Sequence, residues 1–267
     1  MIKAKVSPFP KGYAGSNPAL GVYIMTPLKI LVGSPTAAPY AYCLDAWISA
    51  AKSLTYPAKT IALVDNSLSD DYYKLLQQQG IRALKYPSFI KDSRERLVAS
   101  RNMLRQIVLD ENYDYFLSLE QDVIPPPDVI ERLLSHQKPV VSGVYYKYFD
   151  VRVNLPNGEV KAVKKAVPLL AAFSPQPDKM RYLSAADVAD ERLLPISFCG
   201  LGCVLIRRDV LEKVSFRADV TVACHDDAWF CSDTTAARFP MFVDTGVKCK
   251  HLISGKPPNL FADIKRE

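Results

Sequence analysis

The chain is poor in the features that assign a protein quickly. No apolar stretch approaches the roughly 20 residues needed to cross a bilayer. The first 20 residues, MIKAKVSPFPKGYAGSNPAL, hold no apolar core of the kind a secretion signal needs. A cytoplasmic protein with reduced thiols is the resulting expectation. The six cysteines include no Cys-x-x-Cys pair, which removes the usual spacing of a structural zinc site. KILVGSPTAAPY, the first strand-like run, contains one glycine, so the Gly-x-Gly-x-x-Gly dinucleotide fingerprint is missing. There is no Walker phosphate loop. Nicotinamide, flavin and P-loop chemistries lose support accordingly. Internal repeats and low-complexity tracts are absent too.

What is present describes an ordinary folded chain. The 267 residues are 49% hydrophobic and 23% charged, enough for one large α/β domain with a real core. The net charge of +6 and pI near 8.9 are mildly basic. They admit an anionic ligand or a nucleic acid, or only a solvated basic surface.

From Leu28 onward, strand-like and helix-like patterns alternate. KILVGSPT and TIALVDNS read as buried strands. APYAYCLDAWISAAKSL has helical spacing at Leu44, Trp47, Ile48 and Ala51. SDDYYKLLQQQG reads as a helix capped by Ser69 and closed by Gly80. IRALKYP follows as a strand, then DSRERLVASRNMLRQIVLD as a long helix, YDYFLSLEQDV as a strand, PPDVIERLLSHQ as a helix begun by proline, and PVVSGVYY as a strand. This alternation predicts an α/β fold with a mostly parallel, Rossmann-like sheet flanked by helices. Ligands in such sheets sit beyond the carboxyl ends of the strands. Residues 1–27 read as an irregular arm, 28–146 as a ligand-binding subregion and 147–267 as a second subregion of the same domain. Within the latter, 147–195 is a lysine-bearing insert, with an Asn157-Gly158 turn that suggests a hairpin.

Five groups of residues have chemistry to offer. Glu120-Gln121-Asp122 ends a strand, and alternate strand residues point to one side, so both acids can face one site. Such a pair can hold Mg²⁺ or Mn²⁺, or be only a solvated turn. On the helix Asp92–Asp110, Arg94 and Arg101 fall where the 3.6-residue period calls for apolar residues. An arginine aimed inward needs an anion, either a diphosphate or an internal carboxylate. Residues 82–105 carry seven basic residues and two acids. Asp65, after the second strand, can hydrogen-bond a ribose or a base, and Thr36 ends the first strand on the same edge. His225-Asp226-Asp227 opens a helix, where an acid can act as a base or merely cap. His251 closes the last strand-like run and is a metal ligand only if the fold brings it to Asp122.

Taken in order, these stretches resemble the GT-A glycosyltransferases, in particular family-two-like enzymes, across roughly residues 28–251. LSLEQDVIPPPDVIERLL resembles the strand ending in an Asp-x-Asp motif, written here Glu-x-Asp. SRNMLR resembles the family's Ala-Arg-Asn element, VDNSLSDD its nucleoside-contacting element and CGLGCVLIRRDVLEKV its glycine-containing acceptor segment. HDDAWFCSDTTAARFPMFVDTGVKCKH resembles the Glu-Asp helix and the strand ending in a histidine. The resemblance implies Asp122 and His251 as metal ligands, with Glu120 on the metal or ribose. It implies Asp65 and Thr36 beside the donor, and Arg101 on its diphosphate. Asp227 becomes the general base of an inverting reaction, with Asp226 in the place of the preceding Glu; a retaining outcome would not need that base.

The expected activity is therefore a metal-dependent transfer, with Mn²⁺ or Mg²⁺, of a sugar from a UDP- or GDP-linked donor to an acceptor hydroxyl. The acceptor is expected to be a saccharide or a lipid-linked glycan. The basic charge and the lysine-bearing insert keep a DNA base open as well: a hydroxymethylated pyrimidine, as modified by phage enzymes of this type. A sugar-nucleotide nucleotidyltransferase or a non-catalytic sugar-binding module are the readings from other classes.

Overall fold

The computed structural model describes residues 27–87, 89–154, 158–174, 180–219, 221–222 and 224–253. The arm expected at 1–27 lies almost wholly outside them, as does Asn157 of the expected turn. Strand β1 (Ile30–Thr36) is buried along its whole length. A 3-10 turn (Ala38–Cys43) leads into α1 (Leu44–Ser53), whose buried face is Leu44, Trp47, Ile48 and Ala51. Then come β2 (Lys59–Asp65), α2 (Asp71–Gln77), β3 (Arg82–Lys85), α3 (Ser93–Asp110) and β4 (Tyr115–Leu119). A two-residue β5 (Val123–Ile124) precedes α4 (Val129–Ser135) and β6 (Val140–Val144).

Apart from the 3-10 turn and the short β5, these elements follow the expected alternation, with three local differences. Ser69 does not cap α2; Asp70 occupies that position without a side-chain bond. The prolines at 125–127 precede α4 and do not open its first turn, because Asp128 is the N-cap. The strand carrying the acid pair ends at Leu119, so Glu120-Gln121-Asp122 form a turn closed by Val123 N–H on the Glu120 carbonyl at 2.9 Å. α3, by contrast, starts where expected: the Asp92 carboxylate accepts from the N–H groups of Arg94 (2.8 Å) and Glu95 (3.3 Å), a cap worth about 1 kcal/mol.

The remaining elements are β7 (Tyr146–Asn154), β8 (Val160–Pro168), β9 (Leu170–Phe173), β10 (Met180–Tyr182), β11 (Leu193–Ile196), β12 (Phe198–Cys199), β13 (Cys203–Arg207), α5 (Arg208–Lys213), α6 (Asp226–Ala236), β14 (Met241–Lys248) and β15 (Lys250–His251). β7 and β8 pair antiparallel from Tyr146↔Pro168 to Asn154↔Val160. The insert thus begins with a long hairpin, and Gly158 supplies the positive φ (84°) near its tip.

The central sheet has eight strands in the order β11-β14-β6-β13-β4-β1-β2-β3. Every strand points one way except β11 and β13, each antiparallel to its neighbours. β13 lies between β4 and β6, so its amino end meets their carboxyl ends. α3 packs directly on β1 at Gly33, where a methyl group would stand 2.9 Å from Leu104 Cδ2 and 3.1 Å from Phe116. Side chains from both faces of the sheet make one continuous core. No helix among the described residues is long and apolar enough to cross a membrane.

Candidate active site

An open cleft of about 1140 Å³ lies across the carboxyl ends of β1, β2, β4 and β6. Glu120, Asp122, Asp226, Asp227, His251 and Thr36 all line it, so six sequence-predicted site residues meet at one place. Asp65 and Arg101 lie beneath its wall, fully buried.

His251 is held by two acceptors. Its Nδ1 lies 2.7 Å from the Tyr146 carbonyl and its Nε2 lies 3.2 Å from Asp122 Oδ2. A carbonyl only accepts, so Nδ1 carries a proton. In the neutral ring, Nε2 is then a bare lone pair facing a carboxylate. Two acceptors at that distance need a proton or a cation between them. Burial opposes a charge on His251, but Asp122 outweighs it and raises the imidazole above its ordinary value. The donor set also suits a divalent cation: adjacent oxygen and nitrogen ligands of an octahedral ion at about 2.1 Å stand about 3 Å apart. Among the described residues, however, no three His, Cys, Asp or Glu side chains converge as a ready ion cage. A cation here would be completed by water or by a ligand's own oxygens.

Glu120 is one step removed from that pair. Its Oε1 pairs tightly with Arg101 Nη2. Arg101 is 1% exposed and also donates Nε to Asp226 Oδ2 at 2.5 Å and Nη1 to Ser118 Oγ at 3.1 Å. Burial disfavours its charge, but Asp226 and then Glu120 more than offset that and push its pKa up. Of the two partners the sequence left open, an internal carboxylate is the one Arg101 meets. Arg101 thereby ties the acid turn after β4 to the first residue of α6. Burial raises the Glu120 carboxyl, against the pull of Arg101.

Asp227 lines the cleft one residue further into α6, where its Oδ1 accepts from the Ala228 N–H at 2.8 Å. Burial, then the neighbouring Asp226, raises its pKa above its ordinary value. Asp65 is enclosed: Ser67 N–H (2.9 Å) and hydroxyl (2.6 Å) bond Oδ1, and Lys85 Nζ bonds Oδ2 at 2.8 Å. Lys85 also donates to the carbonyls of Ser67 and Ser69, so the pair shapes the 66–69 loop that forms the wall of the cleft.

Three supports escaped the sequence reading. Gln121, between the two acids, turns inward and donates to the Tyr72 hydroxyl (2.7 Å) and the Tyr40 carbonyl (3.2 Å). Tyr42 donates to the Leu252 carbonyl at 2.7 Å, which ties the turn after β1 to the residue following His251. Tyr145 is buried with its hydroxyl accepting the Gly202 N–H at 3.0 Å and its ring edge-on to His251, 5.4 Å between centroids. A methyl group on Gly200 would meet that hydroxyl at 2.0 Å. The close glycines of FCGLGC were the visible signal; their partner, 55 or more positions earlier, had none. Tyr145→Phe should cost about 1–2 kcal/mol by leaving the Gly202 N–H unpaired, measured by denaturant unfolding. An unchanged midpoint would mean that water replaces the hydroxyl.

No protein-family model matches the chain, and no curated protein sequence matches it. Among solved structures, the mannosyltransferase PcManGT from Pyrobaculum calidifontis, in complex with GDP-Man and Mn²⁺, aligns with a TM-score of 0.55 at 11% identity. The chain has a glycosyltransferase-like fold. The alignment covers 88% of this chain and 59% of the mannosyltransferase, so this chain spans well under two thirds of that protein's length. The protein A197 from STIV aligns over 85% of this chain and 87% of its own, at 15% identity and a TM-score of 0.44.

Proposed function

We propose that this chain is a metal-dependent glycosyltransferase that moves a sugar from a nucleotide-diphosphate donor, UDP- or GDP-linked, to an acceptor hydroxyl. The observation that carries the reading is the Asp122–His251 juxtaposition at 3.2 Å, in a strand-end cleft that Asp227 also lines. A fold shared with a mannosyltransferase solved with GDP-Man and Mn²⁺ supports it.

In this reading Asp122 and His251 hold Mn²⁺ or Mg²⁺, with Glu120 beside them. When bound, the cation supplies charge neutralisation to the leaving diphosphate. Asp227 takes the acceptor proton if the reaction inverts, and burial with the neighbouring Asp226 raises its pKa, which makes it a stronger base. Arg101 is a positioning residue, holding Glu120 and the start of α6 in place. Asp65 likewise acts through Ser67 and Lys85, so contacts to ribose and base fall to Thr36, Asn66 and Ser67. The acceptor proposed is a saccharide or a lipid-linked glycan.

The test is a thermal-shift screen of nucleotide sugars with and without Mn²⁺. At a hundred times its Kd a true donor should add about 2.7 kcal/mol of stability. Asp122→Ala should lose most of the Mn²⁺-dependent part while keeping its fold, because Asp122 faces the cleft. Equal stabilisation of Asp122→Ala and the parent would sink the metal assignment.

A further inference from the structure

Beside the cleft, the β7–β8 hairpin and the β9–β10 pair present one outer face. Phe173, Met180 and Tyr182 are 64%, 58% and 52% exposed. Met180 and Phe173 are direct cross-strand partners, and Tyr182 lies two residues along on the same side. The Tyr182 ring meets Phe149 of β7 at 6.1 Å between centroids, which carries the apolar surface onto the hairpin. Register then decides what surrounds it. Lys147 pairs with Val167, Phe149 with Lys165 and Val153 with Lys161. Lys147, Lys161 and Lys165 therefore share the side of Phe149, and no acid falls on that side of either strand. Asp150 pairs with Lys164 on the opposite side. Lys147 also lines the cleft, together with Tyr148 and Lys164 of the opposite side, so the hairpin borders the site.

We propose that this face docks on an anionic lipid surface, and that the site acts on an acceptor held there. The second half rests on the glycosyltransferase reading; the first stands without it. Contiguous apolar groups this exposed mark an interaction surface. Phe173 and Met180 suit acyl chains, and Tyr182 suits the boundary between chains and headgroups. The all-lysine flank complements acidic headgroups. Single-stranded nucleic acid is the competing occupant, but it needs a series of flat rings on which successive bases stack, and Met180 breaks the series.

The experiment is co-sedimentation of the full chain with vesicles of phosphatidylcholine alone and of phosphatidylcholine mixed with phosphatidylglycerol. Binding should favour the mixed vesicles and weaken as salt rises. Each lysine near such a surface strengthens binding roughly fivefold, so Lys161→Ala with Lys165→Ala should weaken it about thirtyfold. Phe173→Ser with Met180→Ser should weaken it by about tenfold or more. These four positions are exposed and off the cleft, so parent-like thermal unfolding of both variants shows that they fold. No preference for anionic vesicles, or parent-like binding by both variants, overturns the proposal. So does tighter capture by a single-stranded oligodeoxynucleotide that the same variants lose. If vesicle binding holds but no nucleotide sugar stabilises the protein, the glycosyltransferase reading fails and the docking face stands.

Discussion

Arg101→Met should lower the melting temperature by about 10 °C. The parent guanidinium is buried, bonded to Asp226 at 2.5 Å, and paired with Glu120 and Ser118. Methionine fills much of the same volume and supplies no donor. Asp226, itself 6% exposed, would be left without its ion-pair partner. Removing one member of a buried ion pair costs about 3–5 kcal/mol, and each kcal/mol moves the midpoint of a chain near this size by about 2–4 °C. Glu120 softens the loss, since its side chain is 32% exposed and can reach the water of the cleft. The deficit should shrink on acidification. Burial already holds Glu120 above its unfolded value, and losing Arg101 raises it further. A carboxyl with a raised folded pKa regains stability as pH falls through that value toward the unfolded one. Arg101→Lys keeps the charge but cannot fork between two carboxylates, so it should fall between parent and methionine. A midpoint within about 2 °C of the parent for Arg101→Met would show that the triad contributes little.

Asp227→Asn should reduce kcat by about 10²–10⁴-fold once a donor and acceptor are in hand. Asparagine keeps the shape and can still meet the Ala228 N–H through its amide oxygen, but it cannot take a proton. Stabilisation by donor and Mn²⁺ should persist, which separates a lost base from a lost fold. The parent supplies the pH signature. Because burial and Asp226 raise the Asp227 pKa, kcat/KM should fall on acidification at a pH above the ordinary value of an aspartate, as the base becomes protonated. Asp227→Asn should flatten that limb. Full activity in Asp227→Asn would point to a retaining route, or to a different base.

The first half of the sheet was readable because its elements are local. β1 and β4 are buried runs of seven and five residues, and α1 shows its face as Leu44, Trp47, Ile48 and Ala51. The second half was less readable for physical reasons. β13 enters antiparallel between β4 and β6, a long-range placement that no window of sequence encodes. β8 is mostly exposed, so VKAVKKAVP shows no clean alternation. At the site, residue types and order pointed to Asp122, Asp227 and His251, and the fold brings all three to one cleft. Arg101 shows the limit of such reading. Its misfit on an apolar stripe announced a buried anion, but the choice between a ligand's phosphate and the chain's own carboxylates lay in the approach of α6, 125 positions away.

The contact between Tyr145 and the glycine loop has an evolutionary consequence. Gly200 cannot gain even a methyl group while the tyrosine hydroxyl stands 2.0 Å from where it would lie. Nor can Tyr145 be cut back without stranding the Gly202 N–H and losing the edge contact with His251. Single steps from either side pass through a damaged intermediate. Relatives of this chain should therefore change these three positions together or keep all of them, and an alanine at 200 should occur only where residue 145 has become smaller.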